Sequence, residues 1–279
     1  SSLSKVVKVL TTQNTHRESV SGELPLSPIH KWFFERDFLD FHHFNQAEIF
    51  SISSKITSAH LIRVFNSIIS HHDALRTKCK SQTLTISSEL GNQSSYFEVL
   101  KMNEWNIDTV TTKISQVQNS IDMTKSLIRV VHIICGQERN YLLIVIHHLV
   151  VDGVSWRILQ EDLEDSLKAV LEGNDIILPN RTSSVIEWSM ACQDLVQSSW
   201  IKTEDKIWVN MLSEKDSTVE SLLLGFLEKF EESRLSEEQP FLETEYIEFD
   251  ERVTQLLVSH QVCSRAYKAK IDEVLLCAF

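Results

Sequence analysis

One segment constrains this chain more than any other: a continuous apolar run that ends in two histidines. Residues 141–146 read YLLIVI, which is typical of a strand covered on both faces. His147 and His148 follow the run, and from Val154 onward apolar residues recur at helical intervals. The segment is therefore predicted to form a strand, a short loop and a helix. Catalytic side chains often lie at such exits, because the rigid strand directs them into a cleft.

The two histidines have three interpretations. Neighbouring side chains on a strand point to opposite faces, so His147 and His148 cannot easily bind one metal ion. Neither a histidine at helical spacing nor a nearby cysteine completes a ligand set, and no metal site is predicted. From spacing alone, two buried structural histidines are the simplest interpretation. One imidazole facing a cleft and one packed inward would instead suit a single general base with a packed neighbour.

Asp152 lies four residues after His148 and directly before Gly153. Its carboxylate can cap the helix that follows, since aspartate is a favoured N-cap residue. It can also form an ion pair with an arginine and so hold the loop in place. The spacing does not distinguish these two interpretations.

Composition indicates which classes of partner the protein can bind and in which cellular compartment it is expected. The formal charge of −12 disfavours nucleic acid or an anionic membrane surface as the main partner. The five cysteines are scattered and odd in number, without a CxxC motif, which indicates reduced thiols. No apolar run resembles a signal peptide or approaches the length of a membrane span. We therefore expect a cytoplasmic protein that binds neither nucleic acid nor membrane.

Hydrophobic spacing and turn residues predict the other elements. Strands are predicted near residues 44–52, 74–80, 96–100, 127–135, 243–249 and 267–271, and helices near 30–38, 57–70, 106–121, 154–171, 184–196, 199–212 and 252–264. Asp272 is the expected cap of a last helix. Prolines predict that residues 24–29 are extended, 172–184 form a linker by composition, and 213–240 are irregular or partly helical. Trp32, Phe33 and Phe34 are expected in the core, and His42 and His43 are interpreted as structural or rim residues.

Five segments together resemble one known family. They are LPLSPIHKWFF (24–34), HHDALRT (71–77), IHHLVVDGVSW (146–156), VIEW (185–188) and AYKAKIDEVLLCAF (266–279). The third resembles the HHxxxDG core of condensation and epimerization domains in nonribosomal peptide synthetases, and the others resemble that family's motifs in the same order. His71 is a departure, because it stands where the family usually has arginine.

The resemblance implies an α/β (α+β) fold like that of chloramphenicol acetyltransferase, with a mixed sheet and flanking helices. Residues 1–175 would form an N-terminal lobe that carries the HHxxxDG motif. Residues 176–279 would form the linker and the beginning of a C-terminal lobe. Members of the family extend further, so we expect a chain that stops before the second lobe is complete. It would then lack both an EGHGRE-like motif, with its second catalytic carboxylate, and the bridge that closes the active-site tunnel.

Several residues favour the epimerization branch of the family. Gly153 is followed by VSWRIL, where condensation domains usually have an aromatic residue and serine. The segment PIHKWFF also resembles epimerization domains. So does the pair Asn45 and Gln46, which closely follows His42 and His43.

The resemblance also implies a substrate and a base. The substrate would be an aminoacyl or peptidyl thioester on the 4'-phosphopantetheine arm of a peptidyl carrier protein, and the domain itself would bind no cofactor. Removal of the α-proton needs a base, an acid on the opposite face and donors near the developing oxyanion. Imidazoles suit this role because their ordinary pKa is about 6.5. His148 is assigned as the base or its acid counterpart, and His147 is expected to pack inward.

Four further residues are expected to support the site. Asp152 would fix the loop rather than exchange protons, Gly153 would allow a tight turn, and Trp156 belongs to the same motif. Without the resemblance, Arg76 would be interpreted as a solvated surface charge. By resemblance it is buried and structural, paired with an acid near the core motif.

Three functional hypotheses follow. The first is an amino-acid epimerase acting on carrier-bound thioesters. The second is a condensation domain that forms an amide bond, in which His148 would act on the attacking amine. The third is a non-catalytic fragment that only docks a carrier protein. In each hypothesis the chain is a monomeric unit beside other synthetase domains, and because carrier proteins are usually acidic, its docking surface should be locally basic or apolar.

Overall fold

The computed structural model describes residues 18–36, 38–136, 139–213, 248–259 and 268–278. Its strands are β1 (Gly22–Leu24), β2 (Asn45–Ser53), β3 (Thr77–Lys80), β4 (Thr83–Ile86), β5 (Phe97–Met102), β6 (Ile128–Cys135) and β7 (Arg139–His147). Its helices are α1 (Pro28–Phe34), α2 (Ser58–His71), α3 (Ile107–Asn119), α4 (Gly153–Leu171), α5 (Val185–Gln197), α6 (Ser199–Ser213), α7 (Glu251–Val258) and α8 (Ile271–Ala278). The predicted mixture of strands and helices is confirmed.

The larger sheet is built around β7. Its strand order is β2-β7-β6-β5, and β7 is antiparallel to both of its neighbours. Strand β5 lies parallel to β6 because α3 makes the crossover between them. Leu142, Ile144 and Ile146 pack against α2 and α4, whereas Leu143 and Val145 pack against α3. The apolar run is therefore covered on both faces, as predicted.

The register between β2 and β7 decides what lies beside the two histidines. Asn45 pairs with His147, and Gln46 pairs with Ile146. Residues that pair directly across two strands point to the same face of the sheet. Gln46 therefore lies on the face that α2 and α4 cover, close to the end of β7.

A smaller antiparallel sheet has the order β1-β4-β3. Beside it, Phe33 is 1% exposed and packs among the rings of Phe34, Phe38, Phe41 and Phe44. This cluster confirms that Phe33 lies in the core.

The core prediction was wrong for Trp32. Its side chain is 40% exposed, and the guanidinium of Arg36 lies 4.7 Å from its ring centroid. A cation over the face of an indole is a favourable contact at a surface, so this ring gains a partner without burial.

Three local predictions were also wrong. Pro28 begins α1 instead of extending the chain, because the first helical position needs no N–H donor. Lys268 has a φ of +53°, a left-handed conformation that is incompatible with the strand predicted near residues 267–271. Asp272 lies inside the first turn of α8 and does not cap it. Residues 214–247 and 260–267, which carry parts of other predictions, lie outside the described residues.

Arg76 is buried and saturated with hydrogen bonds. Its side chain is 3% exposed and donates to the carboxylate of Asp73 at 2.6 Å. Its other N–H groups donate to the carbonyls of Ile69, Ser70, Val20 and Ser87 and to the hydroxyl of Ser19. The buried, structural interpretation is confirmed. The predicted partner was wrong, because the acid belongs to the same short turn, Asp73–Arg76, and not to the HHxxxDG motif.

The same carboxylate also anchors the predicted linker. Arg181 donates to Asp73 at 3.1 Å and to the carbonyl of Ser70 at 2.8 Å. Nearer the start of α2, Arg63 donates to the Asn174 carbonyl and to Asp175. Residues 174–184 have no regular secondary structure, yet these contacts attach them to α2.

The chain forms two compact units, Ser1–Ile207 and Trp208–Phe279. In the second unit, Asp250 caps α7 by accepting a hydrogen bond from the amide of Val253. The predicted division into 1–175 and 176–279 stays a prediction. None of the helices within the described ranges is long and apolar enough to cross a bilayer.

Replacing Asp73 with Asn should lower the free energy of unfolding by about 2 kcal/mol at pH 7, because buried charge-assisted hydrogen bonds are lost. Burial alone would raise the pKa of Asp73, but hydrogen bonds from Arg76, Val20 and Ser19 lower it below 3.8. Its stabilising effect is therefore present above pH 3.8 and is lost as the pH falls through the folded-state pKa. Urea unfolding at several pH values measures both effects.

Asp175→Asn is the matched control, because the Asp175 carboxylate is 96% exposed in its ion pair with Arg63. This variant should change the free energy of unfolding very little. Equal losses for the Asp73 and Asp175 variants would contradict the structural role of the buried pair.

Candidate active site

The junction between β7 and α4 is held by Asp152. Its carboxylate accepts hydrogen bonds from the Ser155 amide at 2.8 Å and from the Ser155 hydroxyl at 2.6 Å. Hydrogen bonds from the Ser155 hydroxyl and amide lower the pKa of Asp152. Of the two interpretations left open by its spacing, the structure supports the helix cap. A capping carboxylate of lowered pKa is poorly suited to exchanging protons.

His147 packs inward, as expected. Its ring is fully buried, edge-on to Phe33, and its Nε2 lies 2.9 Å from the carbonyl oxygen of Phe41. A carbonyl only accepts hydrogen bonds, so Nε2 carries the proton and Nδ1 accepts from the Leu149 amide at 3.2 Å. Burial lowers the pKa of His147 to about 4. The ring is therefore neutral at pH 7, and both of its nitrogens have partners.

His148 points the other way and is exposed. Its ring stacks on Phe44 with a centroid distance of 5.2 Å and an interplanar angle of 18°. Its Nδ1 lies 2.7 Å from the carbonyl oxygen of Val151, so Nδ1 carries the proton of the neutral ring. The unprotonated nitrogen is then Nε2. This arrangement offers one oriented lone pair at the end of a rigid strand.

Gln46 and Trp156 complete the surroundings of His148. The buried indole N–H of Trp156 donates to Gln46 Oε1 at 2.8 Å. The amide nitrogen of Gln46 lies 3.2 Å from His148 Nε2. In the sequence, Gln46 indicates only the epimerization branch of the family. Its contact with His148 depends on the pairing of β2 with β7, which local spacing does not reveal.

An open groove of about 530 Å³ adjoins this chain of hydrogen bonds. Its lining residues come from β2 and α4, and they are Gln46, Ala47, Glu48, Gly153, Trp156, Arg157 and Gln160. Gly153 was expected to allow a tight turn, and this was wrong. It is the first residue of α4, does not have a positive φ, and a Cβ there would meet no atom within 4 Å. Its lack of a side chain leaves room in the groove instead.

Other histidines and Arg76 lie apart from this site. Arg76 makes its hydrogen bonds at the end of α2 and none of them to the HHxxxDG motif. His42 and His43 are exposed, and His42 accepts a hydrogen bond from the Met123 amide. Within the part of the chain that the structure describes, no three His, Cys, Asp or Glu side chains are grouped as metal ligands would be.

The sequence matches a known family model and several characterised synthetases. The model is that of the Condensation domain, and it matches residues 20–279. Surfactin synthase subunit 1 from Bacillus subtilis (strain 168) is 30% identical over 269 residues, which are 93% of this chain and 7% of that protein. Tyrocidine synthase 2 from Brevibacillus parabrevis is 33% identical over 213 residues, which are 75% of this chain and 6% of that protein. The chain thus spans a small part of each of these relatives.

Solved structures share the fold. The epimerization domain from the third module of tyrocidine synthetase B superposes with a TM-score of 0.73 and 26% identity, over 94% of this chain and 59% of that one. The first condensation domain of the calcium-dependent antibiotic synthetase gives a TM-score of 0.56 and 12% identity, over 72% of this chain and 51% of that one. The predicted fold class is confirmed.

The buried His147 generates a prediction about acid stability. Its folded-state pKa of about 4 lies below the ordinary 6.5, so the unfolded chain binds a proton first as the pH falls. This difference should reduce the free energy of unfolding by on the order of 3 kcal/mol between pH 6.5 and 4. In His147→Gln, which does not titrate, the curve of stability against pH should be correspondingly less steep. Parallel curves for the two proteins in chemical denaturation would contradict the buried, neutral state.

Proposed function

Because this chain belongs to the condensation-domain family of nonribosomal peptide synthetases, we propose that it inverts the α-carbon of an aminoacyl or peptidyl thioester. One observation carries the choice of reaction. The similarity to the epimerization domain of tyrocidine synthetase B extends over more of this chain, and with closer superposition, than the similarity to a condensation domain. The epimerization-like residues around Gly153 and Gln46 support the same choice.

His148 is the proposed base. A thioester acidifies its α-proton because the resulting carbanion delocalises onto the carbonyl oxygen. The proton would pass from the α-carbon to His148 Nε2 and displace the hydrogen bond from the Gln46 amide, while Nδ1–H stays bound to the carbonyl of Val151. Neither neighbour suits the role, since His147 is buried with both nitrogens bonded and Asp152 caps a helix.

Inversion also needs an acid on the opposite face of the α-carbon. The family resemblance assigns that role to a carboxylate in an EGHGRE-like motif, which the sequence of this chain does not contain. Removal of the α-proton and its exchange with solvent require only the base. Exchange is therefore a more direct measure of His148 than inversion.

The proposed partner is a peptidyl carrier protein. Its 4'-phosphopantetheine arm would deliver the thioester, and the domain would bind no cofactor of its own. The chain would work beside other domains of a cytoplasmic synthetase as a monomeric unit. A role as one domain among several is consistent with the small share of each related synthetase that this chain spans.

A condensation reaction is the second candidate, because the matched family model is that of condensation domains. In that reaction His148 would orient or deprotonate an attacking amine, and no second carboxylate is required. The products differ: epimerization leaves a D-residue on the same carrier, whereas condensation lengthens the peptide. A third possibility, carrier docking without catalysis, would make the protein indifferent to the loss of His148.

Replacing His148 with Ala should reduce α-deuterium washout by about 10²- to 10⁴-fold, the usual contribution of a general base. The substrates are carrier proteins loaded with individual α-deuterated amino acids, and mass spectrometry measures the loss of deuterium. The variant should still fold, because the His148 side chain is exposed.

His43→Ala is the matched control, because His43 is also exposed and lies outside the site. Its washout should equal that of the wild type. Washout that persists in His148→Ala would remove the assignment of the base. A wild type that lengthens a carrier-bound peptide without any washout would favour condensation.

A further inference from the structure

We propose that Gln46 is a positioning residue for His148: by donating to Nε2 it keeps that nitrogen unprotonated until the α-proton displaces the amide. The role deepens the proposed function, since it concerns the nitrogen that would accept the α-proton. Gln46 is held by the Trp156 indole, and it donates to His148.

The orientation of the Gln46 amide follows from its partner. An indole N–H is only a donor, so the atom 2.8 Å from Trp156 Nε1 must be the amide oxygen of Gln46. The amide nitrogen therefore faces His148. Trp156 lies on α4, is 7% exposed and belongs to the core, so its indole is held by packing.

The opposite end of this series of hydrogen bonds, at Val151, is equally constrained. The carbonyl of Val151 is only an acceptor, so the proton of the neutral ring lies on Nδ1 of His148. Three hydrogen bonds thus run in one direction, from Trp156 through Gln46 and His148 to Val151. A donor-only group begins this chain and an acceptor-only group ends it, which leaves a single arrangement of protons.

Protonation of His148 breaks this arrangement. Its Nε2–H would face the N–H groups of Gln46, and two donors cannot bond each other. A half-turn of the amide would restore that bond, but it would leave the Trp156 N–H without an acceptor, which is costly for a buried donor. The direction of these three hydrogen bonds therefore favours the neutral, proton-accepting ring of His148.

Charged neighbours act on the same ring. Asp152 and His147 interact with it electrostatically from its own loop and strand. Glu48 of β2 and Arg157 of α4 line the adjoining groove with opposite charges. A negative carboxylate favours imidazolium, so Gln46 opposes the effect of Asp152.

Gln46→Glu separates positioning from a merely structural bridge. A carboxylate can still accept from Trp156, and it can accept from Nε2–H of a protonated His148. If Gln46 only bridges Trp156 and His148, the glutamate should preserve the wild-type behaviour of the ring. If Gln46 acts by donating to Nε2, the glutamate should favour the protonated ring instead. The His148 ring should then stay protonated to a higher pH by about one unit, and the acidic limb of washout should move by the same amount.

The test is ¹⁵N NMR of the His148 ring in the whole chain, combined with the pH profile of α-deuterium washout. In the wild type, the ring should be the Nδ1–H tautomer with an unprotonated Nε2. Ser51→Glu is the matched control, because it adds the same charge five residues along β2 at an exposed position. It should leave both readouts unchanged.

Trp156→Phe is the second variant and does not add charge. It frees the Gln46 amide to rotate, so the ring should again stay protonated to a higher pH. An Nε2–H tautomer in the wild type, or wild-type titration in both variants, would overturn the proposal. The NMR readout does not depend on turnover, so an absence of washout in every protein would count against the proposed function alone.

Discussion

The burial of β7 on both faces is the constraint on which the rest of the structure depends. Side chains alternate along a strand, so two consecutive side chains at its end must point to opposite faces of the sheet. His147 enters a cluster of buried aromatic rings, and His148 leaves the core. A slip of one residue in register would exchange their positions. Burial thus makes one imidazole neutral and inaccessible, while its neighbour stays exposed.

Hydrogen-bond polarity gives the exposed imidazole its direction. The Val151 carbonyl can only accept and the Trp156 indole can only donate, so the groups between them have one arrangement. Asp152 meanwhile caps the start of α4. The backbone carbonyl and the glutamine amide thus orient the His148 ring, and the indole orients the glutamine.

Buried charge organises the end of α2. The Arg76 guanidinium, Asp73 and Arg181 form one connected group, and His72 lies 2.6 Å from the buried carboxylate of Asp162 on α4. Charges removed from water are tolerated only when they are paired and hydrogen-bonded, and Arg76 meets that requirement with six bonds. These contacts join helices and linker within the first unit, so the arginine of the HHDALRT segment serves the scaffold.

The sequence by itself determined the strand, loop and helix around His148, the outward and inward roles of the two histidines, and the family. These features depend on local periodicity and on motifs, which adjacent residues carry. Only the tertiary structure decided that Gln46 meets a histidine 102 residues away, that Asp73 is the partner of Arg76, and that Trp32 is exposed. Strand pairing and the choice of polar partners depend on which segments pack together, and no local pattern encodes that choice.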